Sequence, residues 1–363
     1  MKARAVIGAN FGDEGKGLIT DYLCAKEGAG VVVRHNGGAQ AGHTVVTPDG
    51  RRHVFSHFGS GTFAGVPTYL SQFFLINPIA FFREWDVLRK VEPNIPKLYA
   101  HPDCLVTTYA DMIINQRKED ARGDKRHGSC GLGINETVAR SEVKHLKITM
   151  ADLWNGVKLE GRLAEICGKY ATFRTGKPIV EPGMMDVFQK QCAAIAGLIE
   201  PLGMGQVVDP IFEGAQGLLL DQNNVPMFPH VTTSNTGIKN VLFLCEQAGI
   251  REIEAYYVSR TYLTRHGAGP LPGESASLSY EDNTNLPHAY QGELRFAPLD
   301  EQALRKRIAA DVDTVFAGKV SPRLVYTHCD QSDPALLSPA DLYAYGPTRD
   351  GVGNYRRMIR SVA

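Results

Sequence analysis

Two glycine-rich stretches carry the residue types that could do chemistry. Residues 8–21 read GANFGDEGKGLITD, with Gly8, Gly12, Gly15 and Gly17 surrounding Lys16. Backbone amides in such a loop, followed by a helix N-terminus, make an anion site, and the lysine adds a positive charge. An acidic pair, Asp13 and Glu14, stands in its middle. Leu18 occupies the place where a Walker loop needs a Mg²⁺-binding Ser or Thr, so any metal requires another ligand, and Asp13 is the candidate. Residues 34–46, RHNGGAQAGHTVV, place Gly37, Gly38, Gly42 and His43 in a second loop. A histidine beside glycines after a strand end stands where ligands dock in α/β sheets.

Those loops need strands and helices to hold them. The apolar run RAVIGA predicts a buried parallel strand opening onto the first loop, GLITDYLCAKE a helix, and GVVVRHN the next strand. HTVVTPDGRRHVFSH reads as a hairpin turning at Pro48-Asp49-Gly50. Strand-like runs follow (TYLSQFFLI, KLYAH, DPIFEGA, IEAYYVSRTYL, RLVYTHCD). They alternate with helical patterns (PIAFFREWDVLRK, GMMDVFQKQCAAIAGLIE, GIKNVLFLCEQAG, DEQALRKRIAADV). The alternation predicts an α/β fold with a mostly parallel central sheet and helices on both faces. With no repeat or linker, residues 1–363 are expected to form a single domain, the stretch at 270–290 being a long ordered loop.

Composition narrows the function. Lys plus Arg and Asp plus Glu both number 39, so no global field favours nucleic acid or an anionic membrane. Seven cysteines form no C-x-x-C pair, which points to a reducing, cytoplasmic setting. No run approaches 18 apolar residues, so no membrane span is expected.

GDEGKG with AGHT some thirty residues later resembles the adenylosuccinate synthetase family. GSCGLG (128–133), FEGAQG (212–217), FPHVTTSNT (228–236), TRHGAGPLPGE (264–274) and YGPTRD (345–350) extend the resemblance along nearly the whole chain. In length it is similar to the compact archaeal and phage members. The resemblance implies a C–N ligase that joins L-aspartate to C6 of a 6-oxopurine nucleoside monophosphate, using GTP and Mg²⁺. On IMP the product is adenylosuccinate. The C6 oxygen is a poor leaving group until the N1 proton is removed and the oxygen is phosphorylated. A carboxylate between purine N1 and the phosphates therefore acts as general base and metal ligand.

By resemblance, Asp13 takes that role, with the Gly42 carbonyl as a second Mg²⁺ ligand. His43 and Lys16 stabilise charge in phosphoryl transfer. Gly12, Gly15, Lys16, Gly17, Gly42, His43 and Thr44 hold the triphosphate, Asp330 in THCDQ reads guanine, and Gly346 and Pro347 close over the base. Gln40, Ser129, Cys130, Gln216 and Thr232 join Asp13 around the monophosphate. Arg140 in ETVAR reaches the 5′-phosphate of the neighbouring subunit's substrate, which implies a homodimer with shared sites.

The substrate side departs from the family pattern. Gln40 replaces an Asn, Cys130 a Thr and Leu132 an Arg. The aspartate loop is AYQGELRF (289–296), with Arg295 its only arginine; Arg260 and Arg265 are the other arginines available to hold aspartate. These changes resemble the phage branch, which acts on dGMP and makes 2-aminoadenylosuccinate. Asp13 resembles the IMP enzymes. IMP is thus the first expectation and dGMP, possible with ATP as donor, the alternative. A non-catalytic nucleotide switch is the third reading, disfavoured because a mere binder needs no base at N1.

Overall fold

The computed structural model describes residues 2–285, 292–313 and 316–354. In chain order its strands begin with β1 (Lys2–Gly8), β2 (Val31–Arg34), β3 (His43–Val46) and β4 (Arg52–Phe55). Next come β5 (Thr68–Leu70), β6 (Leu75–Ile76), β7 (Leu98–Ala100), β8 (Leu105–Val106), β9 (Ile199–Pro201) and β10 (Pro210–Gly217). The series ends with β11 (Glu252–Arg260), β12 (Tyr262–His266), β13 (Leu294–Pro298), β14 (Lys319–Thr327), β15 (Leu342–Ala344) and β16 (Val352–Gly353). The helices are α1 (Lys16–Glu27), α2 (Pro78–Val91), α3 (Tyr109–Arg122), α4 (Ile134–Ser141) and α5 (Met150–Trp154). They continue with α6 (Glu160–Glu165), α7 (Ala171–Thr175), α8 (Met184–Leu198), α9 (Lys239–Gln247) and α10 (Glu301–Val312).

Among the described residues, ten strands form one sheet in the order β16-β15-β14-β11-β1-β10-β2-β5-β7-β9. Every pairing in it is parallel except β15 with β16. The alternation of β1 shows why it lies at the centre. Ala3, Ala5 and Ile7 face one layer with α9 and α10, while Val6 faces the other with Leu18, Ile19 and Leu23 of α1. Helices therefore cover both faces, as the βα alternation predicts.

A third apolar cluster joins α2, α3 and α5 to α8 beyond the β5–β7–β9 end of the sheet. Sequence reading assigned no elements between residues 109 and 175, where α3 to α7 lie. TYLSQFFLI is not one strand but two: the chain turns after Ser71, whose carbonyl accepts from the Phe74 amide, and splits the run into β5 and β6. The hairpin holds, with β3 antiparallel to β4 and Thr47 accepting from the Gly50 amide across the turn. Residues 267–285 form no helix or strand, and 286–291, including part of AYQGELRF, lie outside the described residues. No helix among the described residues is long and apolar enough to cross a membrane.

Candidate active site

Adjacent parallel strands release their chains on one edge of the sheet. β1 leads into residues 9–15, β2 into 35–42, β10 ends at Gln216 and Gly217, β11 runs into Thr261, and β14 into 328–331. Pairing order thus assembles segments that are more than 300 residues apart in the chain.

The opening acidic pair divides its labour. Asp13 has φ +62°, a left-handed conformation, and its half-buried carboxylate makes no hydrogen bond or ion pair with another described residue. Glu14 is buried: its Oε1 accepts from the amides of Asn10 at 2.8 Å and Gly12 at 2.9 Å, and its Oε2 lies 3.3 Å from Lys16 Nζ. Glu14 therefore fills part of the anion cradle, and the Gly12 amide and Lys16 ammonium expected to hold phosphate are engaged by it. Phosphate binding at Lys16 has to share or displace that contact. Sequence reading saw Glu14 but gave it no role.

Close packing ties this loop to its neighbours. A Cβ on Gly8 would stand 2.4 Å from both the Gln216 carbonyl and Glu14 Oε2, so β1 must end in glycine for β10 to approach. A Cβ on Gly17 would stand 3.0 Å from His43 Cβ, which sets the second loop against the start of α1. Gln216 also has positive φ, +63°, and its buried Oε1 lacks a protein partner, as do both polar atoms of Gln40 and the Thr44 hydroxyl. Unpaired buried polar atoms gathered at one strand edge are groups a polar ligand can satisfy.

His43 is buried with Nδ1 2.9 Å from Oε1 of the fully buried Glu213 on β10. Glu213 also accepts from the Ser60 amide at 3.1 Å and lies 3.8 Å from Arg34 Nε. Burial alone would raise its pKa, but His43, Arg34 and Ser60 outweigh it and hold the carboxylate down to about 2. Burial lowers the His43 pKa, with Glu213 opposing. Glu213 lies within FEGAQG, yet sequence reading drew only Gln216 from that motif.

The residues expected to read the base lie at the next strand ends. Asp330 is exposed in the turn after β14, and the Cys329 amide donates to the Ala344 carbonyl, which brings Gly346 and Pro347 beside it. A bridge from Val46 to Thr348, and Arg349 paired with the buried Asp21 at 3.0 Å, lay this segment along β3 and α1. On the other side, Ser129 Oγ accepts from Asn115 at 2.8 Å, and burial pushes the Cys130 thiol up to about 11. Thr233 donates to Asn135 at 2.8 Å and the Thr232 amide to the Leu220 carbonyl, so 228–236 packs against the start of α4.

Arg140, expected to reach a neighbouring subunit's substrate, is fully buried within its own chain, with Nε 2.9 Å from Asp111 Oδ1 and Nη2 donating to the Val106 carbonyl at 2.8 Å. Its guanidinium closes the core between α3 and α4. Arg295 is also spoken for. It pairs with Glu274 at 2.6 Å and donates to the carbonyls of Gly267 and Gly269. Arg265 donates to the carbonyls of Pro270 and His230, and Arg260 to Asp282. All three guanidiniums carry contacts within the protein, while Arg265 Nε is a buried donor without a partner among the described residues.

Together the sheet and its edge loops define an α/β protein with an anion-binding loop, a half-buried carboxylate beside it and a histidine backed by a buried glutamate. The family profile described as adenylosuccinate synthetase matches residues 5–292. The chain belongs to the adenylosuccinate synthetase family. It is 32% identical over 289 residues to the adenylosuccinate synthetase of Pseudomonas fluorescens strain SBW25, covering 74% of this chain and 64% of the relative. The enzyme from Alkalilimnicola ehrlichii is likewise 32% identical over 286 residues. The chain thus spans a little under two thirds of the length of these curated relatives. Its fold matches the fully ligated adenylosuccinate synthetase of Plasmodium falciparum with a TM-score of 0.70 at 20% identity, over 90% of this chain and 77% of that one. It also matches the cyanophage S-2L succinoaminodeoxyadenylate synthetase, solved with dGMP and dATP, with a TM-score of 0.67 at 15% identity. That match covers 99% of this chain and 98% of the phage chain.

Proposed function

We propose that this chain is a purine nucleotide ligase that joins the amine of L-aspartate to C6 of a 6-oxopurine nucleoside monophosphate, coupled to hydrolysis of a nucleoside triphosphate. The observation that carries this reading is the Asp13 carboxylate. It is half-buried, makes no hydrogen bond or ion pair among the described residues, and belongs to a phosphate-type loop whose Gly12 packs against Gln216. Asp13 takes the N1 proton, so that O6 can attack the γ-phosphorus and release the nucleoside diphosphate. The aspartate amine then displaces phosphate from C6. His43, oriented by Glu213 through Nδ1, donates from Nε2 to the phosphoryl oxygens in its doubly protonated form, which the Glu213 carboxylate favours, as negative charge shifts onto the leaving diphosphate.

The donor set suits Mg²⁺. Among the described residues no cluster of three or more His, Cys, Asp or Glu could cage an ion, and Mg²⁺ is commonly held by one or two carboxylates plus substrate phosphates. Asp13 and the Gly42 carbonyl would hold it, and when bound it neutralises phosphate charge.

IMP with GTP is the first reading of the substrates, supported by the carboxylate at position 13 and by Asp330 at the base-reading turn. A second reading, dGMP with an adenine nucleotide as donor, is favoured by the departures at Cys130, Leu132 and the loop that carries Arg295. The phage synthetase that shares this fold was solved with dGMP and dATP. A homodimer is the assembly the family implies; with Arg140 buried, that proposal rests on family membership alone.

The test is phosphate release measured with and without L-aspartate, comparing kcat/KM for IMP, dIMP, GMP and dGMP, each with GTP and ATP. Release that needs both aspartate and a purine monophosphate is expected. Full hydrolysis without a monophosphate would mark a simple NTPase. Asp13→Asn should cost about 10²–10⁴-fold in turnover while monophosphate binding persists.

A further inference from the structure

Three separate stretches of chain meet at the Arg260 guanidinium. The side chain is 2% exposed at the end of β11. Its Nε donates to the backbone carbonyl of Asp13 at 2.7 Å, its Nη2 to Asp282 Oδ2 at 2.7 Å and its Nη1 to the Tyr262 hydroxyl at 3.2 Å. Asp282 is itself locked, accepting from the amides of Thr284 at 2.9 Å and Asn285 at 2.8 Å and from the Asn285 side chain at 2.9 Å. The same segment packs Tyr280 flat on Tyr262, with ring centroids 3.6 Å apart. It also receives Gln331 Nε2 on the Glu281 carbonyl at 2.7 Å. Residues 280–285 therefore span from the phosphate loop to the turn that carries Asp330.

Asp13 needs such a brace. A non-glycine residue in the left-handed region is strained and is held there by its surroundings. The Asp13 side chain makes no hydrogen bond or ion pair among the described residues; Arg260 holds its carbonyl directly and attracts its carboxylate through charge. We infer that Arg260 is the positioning residue for Asp13, and that Asp282 is the counter-charge that aims the guanidinium at the Asp13 carbonyl. In this arrangement the phosphate loop and residues 280–285 move as one unit. Arg260 touches no reacting atom. It fixes the turn from which the carboxylate projects. The inference rests on the ligase reading for its kinetic consequence but not for its structural one.

Two measurements on the full chain separate these. The first is hydrogen exchange followed by mass spectrometry on wild type, Arg260→Met, Arg260→Lys and Asp282→Asn. Arg260→Met should speed exchange at least tenfold in both 9–17 and 280–285, leaving the His43–Phe55 hairpin unchanged. Asp282→Asn should loosen the same two segments less. Unchanged exchange in 9–17, or equal acceleration throughout the chain, overturns the inference whatever the protein catalyses.

The second is steady-state kinetics of aspartate-dependent phosphate release. Misplacing a reacting group by about 1 Å costs about 10²-fold, so Arg260→Met should lose about that in kcat, with monophosphate and triphosphate KM within threefold. Arg260→Lys keeps the charge and one of the three contacts, and should recover at least tenfold. If Arg260→Met cannot be purified folded, the Lys and Asp282→Asn variants carry the same comparison. A wild-type kcat in the Met variant, or losses confined to KM, would overturn the positioning role. Wild type inactive with every monophosphate would instead sink the ligase reading, while the exchange result still decides the brace.

Discussion

Replacing Arg140 with methionine discriminates between a core ion pair and a phosphate contact across a subunit boundary. In the structure Arg140 and Asp111 are both fully buried, joined by Nε contacts of 2.9 and 3.2 Å and an Nη2 contact of 3.0 Å. The guanidinium also serves the carbonyls of Val106 and Leu146. Methionine keeps the volume but strands the Asp111 carboxylate and two carbonyl oxygens. Breaking one side of a buried pair costs about 3–5 kcal/mol. Asp111 keeps the Thr108 amide and hydroxyl as donors, at 2.8 and 2.9 Å, which pulls the loss toward the lower end. With a urea dependence of about 3 kcal/mol/M, the unfolding midpoint should fall by about 1 M. Adding Asp111→Asn removes the stranded charge, so the double variant should be more stable than the sum of the singles by about 0.5–3 kcal/mol. The assay is urea unfolding followed by circular dichroism, paired with monophosphate KM on the folded protein. Methionine that leaves the midpoint unchanged but raises that KM tenfold would refute the reasoning and restore the phosphate role.

The remaining predictions address the site and its pH response. Glu213→Gln keeps the shape beside His43 but removes a charge-assisted contact of about 1.5–3 kcal/mol. Turnover should fall about 10- to 150-fold with smaller changes in triphosphate KM, and an unchanged kcat would show that His43 needs no such backing. Asp330→Asn should erode a GTP preference by a similar factor; a wild type that already prefers ATP contradicts the assignment. His35 is fully buried, both ring nitrogens lack partners, and burial followed by Arg34 lowers its pKa to about 3. The unfolded chain binds that proton near pH 6.5, so this contribution to stability is present above pH 6.5 and is lost as pH falls from there toward 3. Between pH 7 and pH 5 the loss from this group is about 2 kcal/mol, and His35→Phe should flatten that part of the urea-midpoint profile. Parallel wild-type and variant profiles would count against a buried neutral imidazole.

Much of the architecture was legible because its signals are local. Apolar runs ending in glycine marked β1 and β2, and the 3.6-residue spacing in residues 78–90 and 301–312 marked α2 and α10. Pro48-Asp49-Gly50 marked the hairpin turn. The joint motif set pointed to the family that the profile match then established. Loop chemistry was legible too: glycines, a lysine and a carboxylate in one short stretch specify an anion site with a candidate base.

What tertiary structure decided was which charges remain available. By sequence, Asp13 and Glu14 are two adjacent carboxylates; in the fold Glu14 turns inward to the loop's own amides and Lys16, and of the two only Asp13 makes no hydrogen bond or ion pair among the described residues. Arginines 140, 260, 265 and 295 all read as possible anion ligands, yet each meets a carboxylate or carbonyls brought from elsewhere in the chain. Glu213 becomes the partner of His43 because β10 pairs with β2, and Arg260 reaches Asp13 because β11 pairs with β1. The physical reason is range. Strand and helix signals act over a few residues, whereas the pairing of a buried charge is set by sheet order between segments more than a hundred residues apart. In a low-dielectric interior a charge must find such a partner. Local sequence names the charged groups, and only the folded sheet determines which of them remain free for a ligand.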